Sequence, residues 1–179
     1  DCSSRGLGDV YKRQVWSGSG GSHRRCFSFR GASGIDGTLS LAMGLAMVQG
    51  RTVLITGDLA LLHDSNGWLH ARNSDPALLV VLIDNAGGGI FGQLSIETGS
   101  PEQFDQLFAM PQGVDPLALA SAHGIPTRQL ACLEDLPDAL EWGLMVQGPA
   151  LLRVSTNRRH DVDLRQRLRA AAQNELLTP

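Results

Sequence analysis

Cysteine and aromatic residues are scarce in this sequence of 179 residues, which contains 3 cysteines, 1 tyrosine and 5% aromatic residues in total. The cysteines, at positions 2, 26 and 132, are far apart and form no C-x-x-C pair. A disulfide framework or a cysteine-rich zinc site is therefore not expected, because both need closely patterned cysteines. The same scarcity is typical of proteins of the reducing cytoplasm, where we expect this chain to be located.

Charge is also low, since charged residues make up 18% of the chain and its net charge is −3. Nucleic-acid and acidic-membrane partners need a basic patch. The short basic run at 158–160 does not provide one, because Asp161 and Asp163 follow it, and it fits a solvated loop. The apolar runs are far shorter than the ~20 residues of a membrane-spanning helix, and the first residues lack the apolar segment of a signal peptide. We therefore expect neither a nucleic-acid nor a membrane partner.

The 42% of hydrophobic residues is enough for one domain with a substantial core. Residues 1–26 differ from the rest. Residues 1–14 resemble a translated sequencing adapter, and the Gly/Ser-rich stretch after them has neither helical nor strand periodicity. We interpret residues 1–26 as a non-native or disordered leader and residues 27–179 as one domain.

Helical and strand patterns alternate from residue 30 onward. The predicted strands are short apolar runs at 52–56, 78–83 and 150–154. The predicted helices lie at 36–49, 63–73, 116–123, 133–145 and 164–174. The strand at 78–83 is apolar throughout, as in parallel sheets that are buried on both faces. This order predicts an α/β fold with an open, mostly parallel sheet and helices on both of its faces.

Polar residues follow two of these strands, at the edge where such sheets bind ligands. Gly57-Asp58-Leu59-Ala60 follows the first strand, and a loop that begins Asp84-Asn85 and is rich in glycine follows the second. Carboxylate and amide oxygens of this kind suit Mg²⁺. Each loop alone has a simpler interpretation, since Asp often caps a helix and Asn-x-Gly often forms a turn. Together, at a defined spacing, the two loops favour a metal site.

The two loops resemble the signature of thiamine-diphosphate enzymes, which begins with Gly-Asp-Gly and ends with Asn-Asn. Here Gly57-Asp58-Leu59 is separated from Asp84-Asn85 by the 24 residues 60–83. Leu59 replaces the third glycine of the signature, and Asp84 replaces its first asparagine. The metal ligand of the family is the second asparagine, so Asp84 alters the local charge and leaves the ligand set intact.

A second motif is narrower. Residues 30–37 read Arg-Gly-Ala-Ser-Gly-Ile-Asp-Gly, and all eight positions resemble the 2-succinyl-5-enolpyruvyl-6-hydroxy-3-cyclohexene-1-carboxylate (SEPHCHC) synthase family (MenD). Gly-Asp-Leu in place of Gly-Asp-Gly is typical of that family, and residues 88–91 and 110–112 also resemble it. The resemblance extends from about residue 30 to about residue 156, which makes the chain similar to the C-terminal, thiamine-diphosphate-binding part of a longer multidomain enzyme.

The resemblance implies a ligand set for the metal and the cofactor. Mg²⁺, with Mn²⁺ as a substitute, would be bound by the side chains of Asp58 and Asn85 and by the Gly87 carbonyl. The residues implied along the diphosphate and the thiazolium ring of thiamine diphosphate are Ser33, Gly34, Gly57, Leu59, Ala60 and Gly88.

Four further residues are implied around the rings and the substrate. Ile35 would support the bent cofactor, while Ile90 and Phe91 would form an apolar wall beside it. Core packing is the simpler interpretation of these three side chains. Arg30 would bind a substrate carboxylate through its planar fork, and its simpler interpretation is a surface arginine that closes a loop.

The resemblance also implies a reaction, the decarboxylation of 2-oxoglutarate and addition of the succinyl unit to isochorismate in menaquinone and phylloquinone biosynthesis. The family's catalytic glutamate lies in a pyrimidine-binding domain of a neighbouring subunit, within a homo-oligomer. The motifs of such a domain are not found in this sequence. We therefore expect a transferase fragment that holds no catalytic residue of its own and is inactive alone.

Two other interpretations remain open. The chain could be the cofactor domain of another thiamine-diphosphate decarboxylase or carboligase of the acetolactate synthase kind, which should lack the motif at 30–37 as written. It could also be a non-catalytic α/β binding module, whose acidic loops are only helix caps. The upstream coding sequence would distinguish the first two, because it should encode the glutamate domain.

Overall fold

The computed structural model describes residues 34–71, 76–93 and 100–177, together with Arg25 and Phe27. The chain divides into two compact units, Asp1–Gly34 and Ile35–Pro179. The described part of the first unit consists of Arg25, Phe27 and Gly34. The helices and strands below all lie in the second unit. No helix within the described ranges is long and apolar enough to cross a membrane.

Strands and helices alternate along the second unit. The strands are β1 (Thr52–Gly57), β2 (Leu78–Asp84), β3 (Thr127–Gln129) and β4 (Ala150–Ser155). The α-helices are α1 (Thr38–Gln49), α2 (Asp58–His63), α3 (Pro101–Phe104), α4 (Pro116–Ala122), α5 (Leu136–Met145) and α6 (Arg158–Leu177). Short 3₁₀ helices lie at Ser65–His70, Gly89–Gln93 and Leu133–Asp135, and a π-helical turn at Asp105–Ala109.

The described strands form one sheet in the order β1-β2-β4-β3, and each neighbouring pair is parallel. The register pairs Gly57 with Ile83 and Asp84 with Ser155, so β1, β2 and β4 end at one edge of the sheet. The predicted fold class is confirmed. The loops that carry the two polar motifs leave from that edge.

Strand β2 lies at the centre of the core. Its residues Leu78, Val80 and Leu82 pack with α1 and α2, whereas Leu79 and Val81 pack on the other face with α5. Six of its seven positions are buried, which explains the apolar run without alternation. Helices therefore cover both faces of this strand and support the loop that follows it.

Helix α1 shows how the sequence fixes its own ends. Leu39, Ala42, Met43 and Ala46 recur at helical spacing and are buried against the sheet. Gly50, with φ of 82°, ends the helix in a conformation that favours glycine. The helix starts at Thr38 and not at residue 36, because Gly37 has φ of 67°.

The prediction of one helix at 63–73 is wrong for the residues of that range that the structure describes. The chain forms α2 directly after β1, breaks at Asp64, and continues as the 3₁₀ helix Ser65–His70. The Asp64 carboxylate accepts hydrogen bonds from the Ser40 amide at 2.7 Å and the Ser40 hydroxyl at 3.0 Å. This tertiary contact fixes the break in the helix. The periodicity of residues 63–73 alone does not predict it, because its partner lies elsewhere in the sequence.

Two other differences concern the last third of the chain. Residues 158–160 form the first turn of α6 and not a loop, because the Asn157 side chain accepts hydrogen bonds from the Arg159 and His160 amides. The short strand β3 was not predicted, since three half-exposed residues carry little periodic signal.

Candidate functional site

Asp58 is the first residue of α2 and lies at the carboxyl end of β1. Its side chain is buried, with 8% exposed. One carboxylate oxygen accepts the Leu59 amide at 2.9 Å, and the other accepts the Gly87 amide at 2.6 Å. The second bond joins the two polar motifs across 29 residues of sequence. The structure therefore brings together Asp58 and Gly87, two of the three predicted metal-binding residues.

The electrostatic environment of Asp58 raises the pKa of its carboxyl. Burial raises the pKa of this carboxyl above its ordinary value of 3.8, and the negative charge of Asp84 adds to the rise. The amides of Gly87 and Leu59 lower the pKa, but burial dominates. A nearby metal ion would stabilise the ionised form of this carboxyl, because it would compensate the buried negative charge.

The loop after β2 has an unusual backbone. Ala86 has φ of 60° and Gly87 has φ of 119°, both in the region that side chains disfavour. The Gly88 amide donates to the Ala109 carbonyl at 2.6 Å, and the Gly89 amide donates to the Gly87 carbonyl at 2.8 Å. A carbonyl oxygen has two lone pairs, so the Gly87 carbonyl retains one for a metal ion.

Close packing explains why the loop is rich in glycine. A Cβ at Gly87 would lie less than 3.0 Å from the Ala109 carbonyl oxygen, and one at Gly88 would lie 2.7 Å from the Phe108 carbonyl oxygen. A Cβ at Gly89 would lie 2.5 Å from the side-chain nitrogen of Asn85. The amide of Asn85 therefore lies beside Gly89, on the loop that also carries Gly87.

Asp84, the departure from the general signature, is paired. Its side chain is 9% exposed, and one of its oxygens accepts from Arg153 Nε at 2.7 Å and Nη2 at 2.6 Å. The other oxygen accepts the Ala86 amide at 3.1 Å. Arg153 comes from β4, the neighbouring strand. Asp84 was recognisable in the sequence as a carboxylate where the signature has an amide, but no sequence feature identified Arg153 as its partner.

Arg158 also contacts the loop, and the sequence did not reveal it. Its guanidinium donates to the Ala86 carbonyl and pairs with Asp105 at the start of the π-helical turn. Arg158 is the first residue of α6, which begins shortly after β4, so its side chain lies at the same edge of the sheet. The predicted interpretation of this basic run as a solvated loop is therefore wrong for Arg158.

The other predicted site residues fall into two groups. Leu59 and Ala60 lie in the first turn of α2, half-buried beside Asp58, and Gly57 precedes them in extended conformation with φ of −88°. Gly34 is exposed and Ile35 is 41% exposed, so core packing in the described chain does not explain Ile35. Arg30 and Ser33 lie outside the described residues.

Ile90 and Phe91 lie in the 3₁₀ helix after the loop and are both half-buried. The Phe91 ring packs over Gly88 and contacts Phe108, with ring centroids 6.1 Å apart. Phe108 in turn contacts Phe104. Aromatic packing thus gives Phe91 a structural role, and a wall beside a bound ring remains a prediction.

The donors at this edge are a carboxylate, an amide and backbone carbonyls. Across residues 34–71, 76–93 and 100–177, no three His, Cys, Asp or Glu side chains converge into a group that could hold a metal. One carboxylate, one amide oxygen and backbone carbonyls are the protein ligands that Mg²⁺ uses when phosphates and water supply its other ligands.

The sequence matches the family described as "Thiamine pyrophosphate enzyme, C-terminal TPP binding domain" over residues 14–154. It is 67% identical over 160 residues to 2-succinyl-5-enolpyruvyl-6-hydroxy-3-cyclohexene-1-carboxylate synthase of Synechococcus sp. (strain CC9902), a match that covers 89% of this chain and 28% of that protein. Against the synthase of the same name from Prochlorococcus marinus (strain MIT 9313), it is 71% identical over 146 residues, covering 82% of this chain and 25% of that protein.

A solved structure gives a similar fold. The Rhodococcus jostii RHA1 thiamine diphosphate-dependent 4-hydroxybenzoylformate decarboxylase superposes with a TM-score of 0.54 and 23% identity, over 65% of this chain and 22% of that chain. At this identity the likeness concerns the fold alone. This chain spans little more than a quarter of the length of the curated synthases that it matches.

Proposed function

The chain belongs to the family of thiamine pyrophosphate enzymes, through their C-terminal TPP-binding domain, and we propose that it binds thiamine diphosphate through a divalent metal ion, Mg²⁺ or Mn²⁺. Asp58, the Asn85 side chain and the Gly87 carbonyl would hold the metal. Leu59, Ala60 and Gly88 would lie along the diphosphate. Ser33, Gly34 and Ile35 are proposed contacts on the preceding motif.

The observation that carries the proposal is the 2.6 Å hydrogen bond from the Gly87 amide to the Asp58 carboxylate. It places an acidic side chain from one strand end against the glycine loop of the next. The residues fit a metal and diphosphate group. Burial raises the pKa of the Asp58 carboxyl, so a cation bound at this edge would compensate its charge, and the loop glycines allow a ligand to approach the backbone.

The similarity to the curated synthases confirms the resemblance inferred from residues 30–37. On that basis we propose that the chain is the cofactor-binding part of a transferase. Its substrates would be 2-oxoglutarate and isochorismate, and its pathway the biosynthesis of menaquinone or phylloquinone. Thiamine diphosphate supplies the electron sink for the decarboxylation, and Arg30 would orient a substrate carboxylate.

We further propose that turnover requires a pyrimidine-binding domain from a neighbouring subunit, which would provide the catalytic glutamate in a homo-oligomer. The chain covers 28% of the length of a related synthase, which leaves room in the relatives for such a domain. The chain assayed alone, with both substrates and saturating cofactor, is expected to give no measurable product. Robust turnover by the isolated chain would contradict this.

Cofactor binding is tested by calorimetric titration of the chain with thiamine diphosphate, with and without Mg²⁺. Asp58→Asn keeps the shape of the side chain but removes its charge, so it should weaken the metal-dependent binding by about tenfold or more. Asp138→Asn is the matched control, because Asp138 is an exposed acid in the first turn of α5. The control should bind like the wild type.

Two results would contradict the proposal. One is the same affinity with and without Mg²⁺, which would leave no role for the metal. The other is equal binding by Asp58→Asn and by the wild type, which would leave no role for the carboxylate. Absence of binding by a folded wild-type chain would also count against a self-contained cofactor site.

A further inference from the structure

Asp84 lies at the junction between β2 and the glycine loop and makes three kinds of contact there. Its main-chain carbonyl accepts the Thr156 amide at 2.7 Å, which continues the pairing with β4. One side-chain oxygen accepts the Ala86 amide at 3.1 Å. The other accepts both Nε and Nη2 of Arg153, at 2.7 Å and 2.6 Å. Asp84 therefore connects the sheet to the loop at the residue before Asn85.

The contact with Ala86 fixes a conformation that the loop would not adopt readily. Ala86 has φ of 60°, in a left-handed region that residues with a Cβ rarely adopt. An aspartate that accepts the amide two residues ahead forms an Asx-turn, which holds the intervening backbone in a turn. This turn includes Asn85 and lies directly before Gly87.

Arg153 does two things for Asp84. It holds the carboxylate by a fork from the neighbouring strand, which limits rotation of the side chain. It also compensates a buried negative charge that lies close enough to Asp58 to influence it. A diphosphate bound at this edge would be repelled by an unpaired carboxylate. The second acidic neighbour of Arg153 is Asp115, 3.7 Å away and more exposed.

We infer that Asp84 and Arg153 form a positioning pair for the metal loop. Asp84 orients the segment from Asn85 to Gly87, and Arg153 fixes Asp84 and cancels its charge. Asp84 differs from Asp58 in that an arginine already pairs with its carboxylate, so we assign it a positioning role and not a metal-binding one. The inference rests on the proposed function, since it assigns the pair to the metal and diphosphate site.

Four variants are compared with the wild type. They are Arg153→Gln, Asp84→Asn, the double variant that carries both changes, and the control Arg128→Gln. Arg128 is an arginine of the same sheet, on β3, and its guanidinium lies over the Trp142 ring. Arg153→Gln leaves Asp84 as an uncompensated buried charge. In the double variant, two neutral amides can bond to each other, and Asn at position 84 still offers an oxygen to the Ala86 amide.

The first measurement is amide hydrogen exchange without any ligand. Arg153→Gln is expected to speed the exchange of the Gly87 amide by about tenfold or more, while the Val80 amide in the core changes much less. The double variant should restore much of the protection, and Arg128→Gln should not alter it. Equal acceleration at Gly87 and Val80 would mean a global loss of stability, which would overturn a positioning role.

The second measurement is titration with thiamine diphosphate and Mg²⁺ on the same proteins. Arg153→Gln should weaken binding by about 10–100-fold, in the range for residues that orient metal ligands, and the double variant should recover most of the loss. Unchanged binding, or a double variant no better than Arg153→Gln, would overturn the inference. Failure of the wild type to bind would contradict the proposed function instead, and the exchange rates at Gly87 would still decide whether the pair fixes the loop.

Discussion

Strands β1 and β2 are parallel neighbours that end at the same edge of the sheet, yet they present their site residues in different ways. β1 leads directly into α2, so the helix itself fixes the backbone of Asp58. β2 leads into a loop in which Ala86 and Gly87 both have positive φ. One predicted metal ligand therefore depends on local secondary structure, whereas the others depend on contacts from distant parts of the chain.

The two strands also differ in burial. Six of the seven residues of β2 are buried, while β1 alternates, with Val53 48% exposed. The irregular loop thus follows the most deeply packed strand. A strained segment persists when its surroundings determine it, and here β2 and the donors and acceptors around the loop do so. The comparison indicates that packing supports the loop, whereas the helix fixes the backbone of Asp58 and the Gly87 amide holds its side chain.

The largest expected effect comes from adding a methyl group to the loop. Gly87→Ala would place a Cβ less than 3.0 Å from the Ala109 carbonyl oxygen, at φ of 119°, and should lower the free energy of unfolding by about 3 kcal/mol. Gly57→Ala is the matched change at the end of β1, where a Cβ meets nothing within 4 Å. It should cost less than about 1 kcal/mol in urea unfolding. Equal losses of unfolding free energy in the two variants would contradict the distinction between the ends of β1 and β2.

An intermediate effect is expected within the strands. Val80→Ala removes two methyl groups from a fully buried position of β2 and should destabilise the chain by about 2 kcal/mol. The same substitution at Val53 of β1 should cost less than about 1 kcal/mol, because that side chain is half exposed in this chain. Denaturant unfolding would measure both losses of stability, as shifts of the midpoint at an unchanged m-value. A larger loss at Val53 would mean that β1 is the better packed strand.

The smallest effect concerns pH and isolates the Asp58 carboxyl. Because its pKa is raised on folding, folding takes up a proton there, so its contribution to stability is greatest below the ordinary value of 3.8 and is lost as pH rises through the raised pKa. The stability of wild type relative to Asp58→Asn should therefore fall over that interval in the absence of metal. Thermal unfolding at a series of pH values measures the difference. A difference that grows with pH would show that the hydrogen bonds to Asp58 outweigh its burial.

Much of the fold and part of the site follow from sequence patterns. The run at 78–83 predicts β2 because an apolar segment of that length is typical of a central parallel strand. The approach of Asp58 to the glycine loop follows from the strand order, since adjacent parallel strands end side by side. The residues that support the loop do not follow. Arg153 reads as one charged residue in a strand, and only the register of β4 against β2 brings it to Asp84.

Tertiary contacts explain the remaining errors. The break at Asp64 depends on Ser40, which is 24 residues away in sequence. The role of Arg158 depends on Asp105 and on the Ala86 carbonyl, which no local pattern relates to it. Helix and strand periodicity describes which face of a segment is buried, but it does not describe which polar group a side chain meets at the edge of a sheet.

Asp58, Asn85 and Gly87 are proposed to hold the metal ion that binds thiamine diphosphate. The most direct test of this proposal is a crystal structure of the chain grown with Mn²⁺ and thiamine diphosphate, with data collected at a wavelength where manganese scatters anomalously. We predict one strong anomalous peak bonded to the Asp58 carboxylate, the Asn85 amide oxygen and the Gly87 carbonyl. A peak bonded to other residues, or bound cofactor with no metal between these three, would contradict the account.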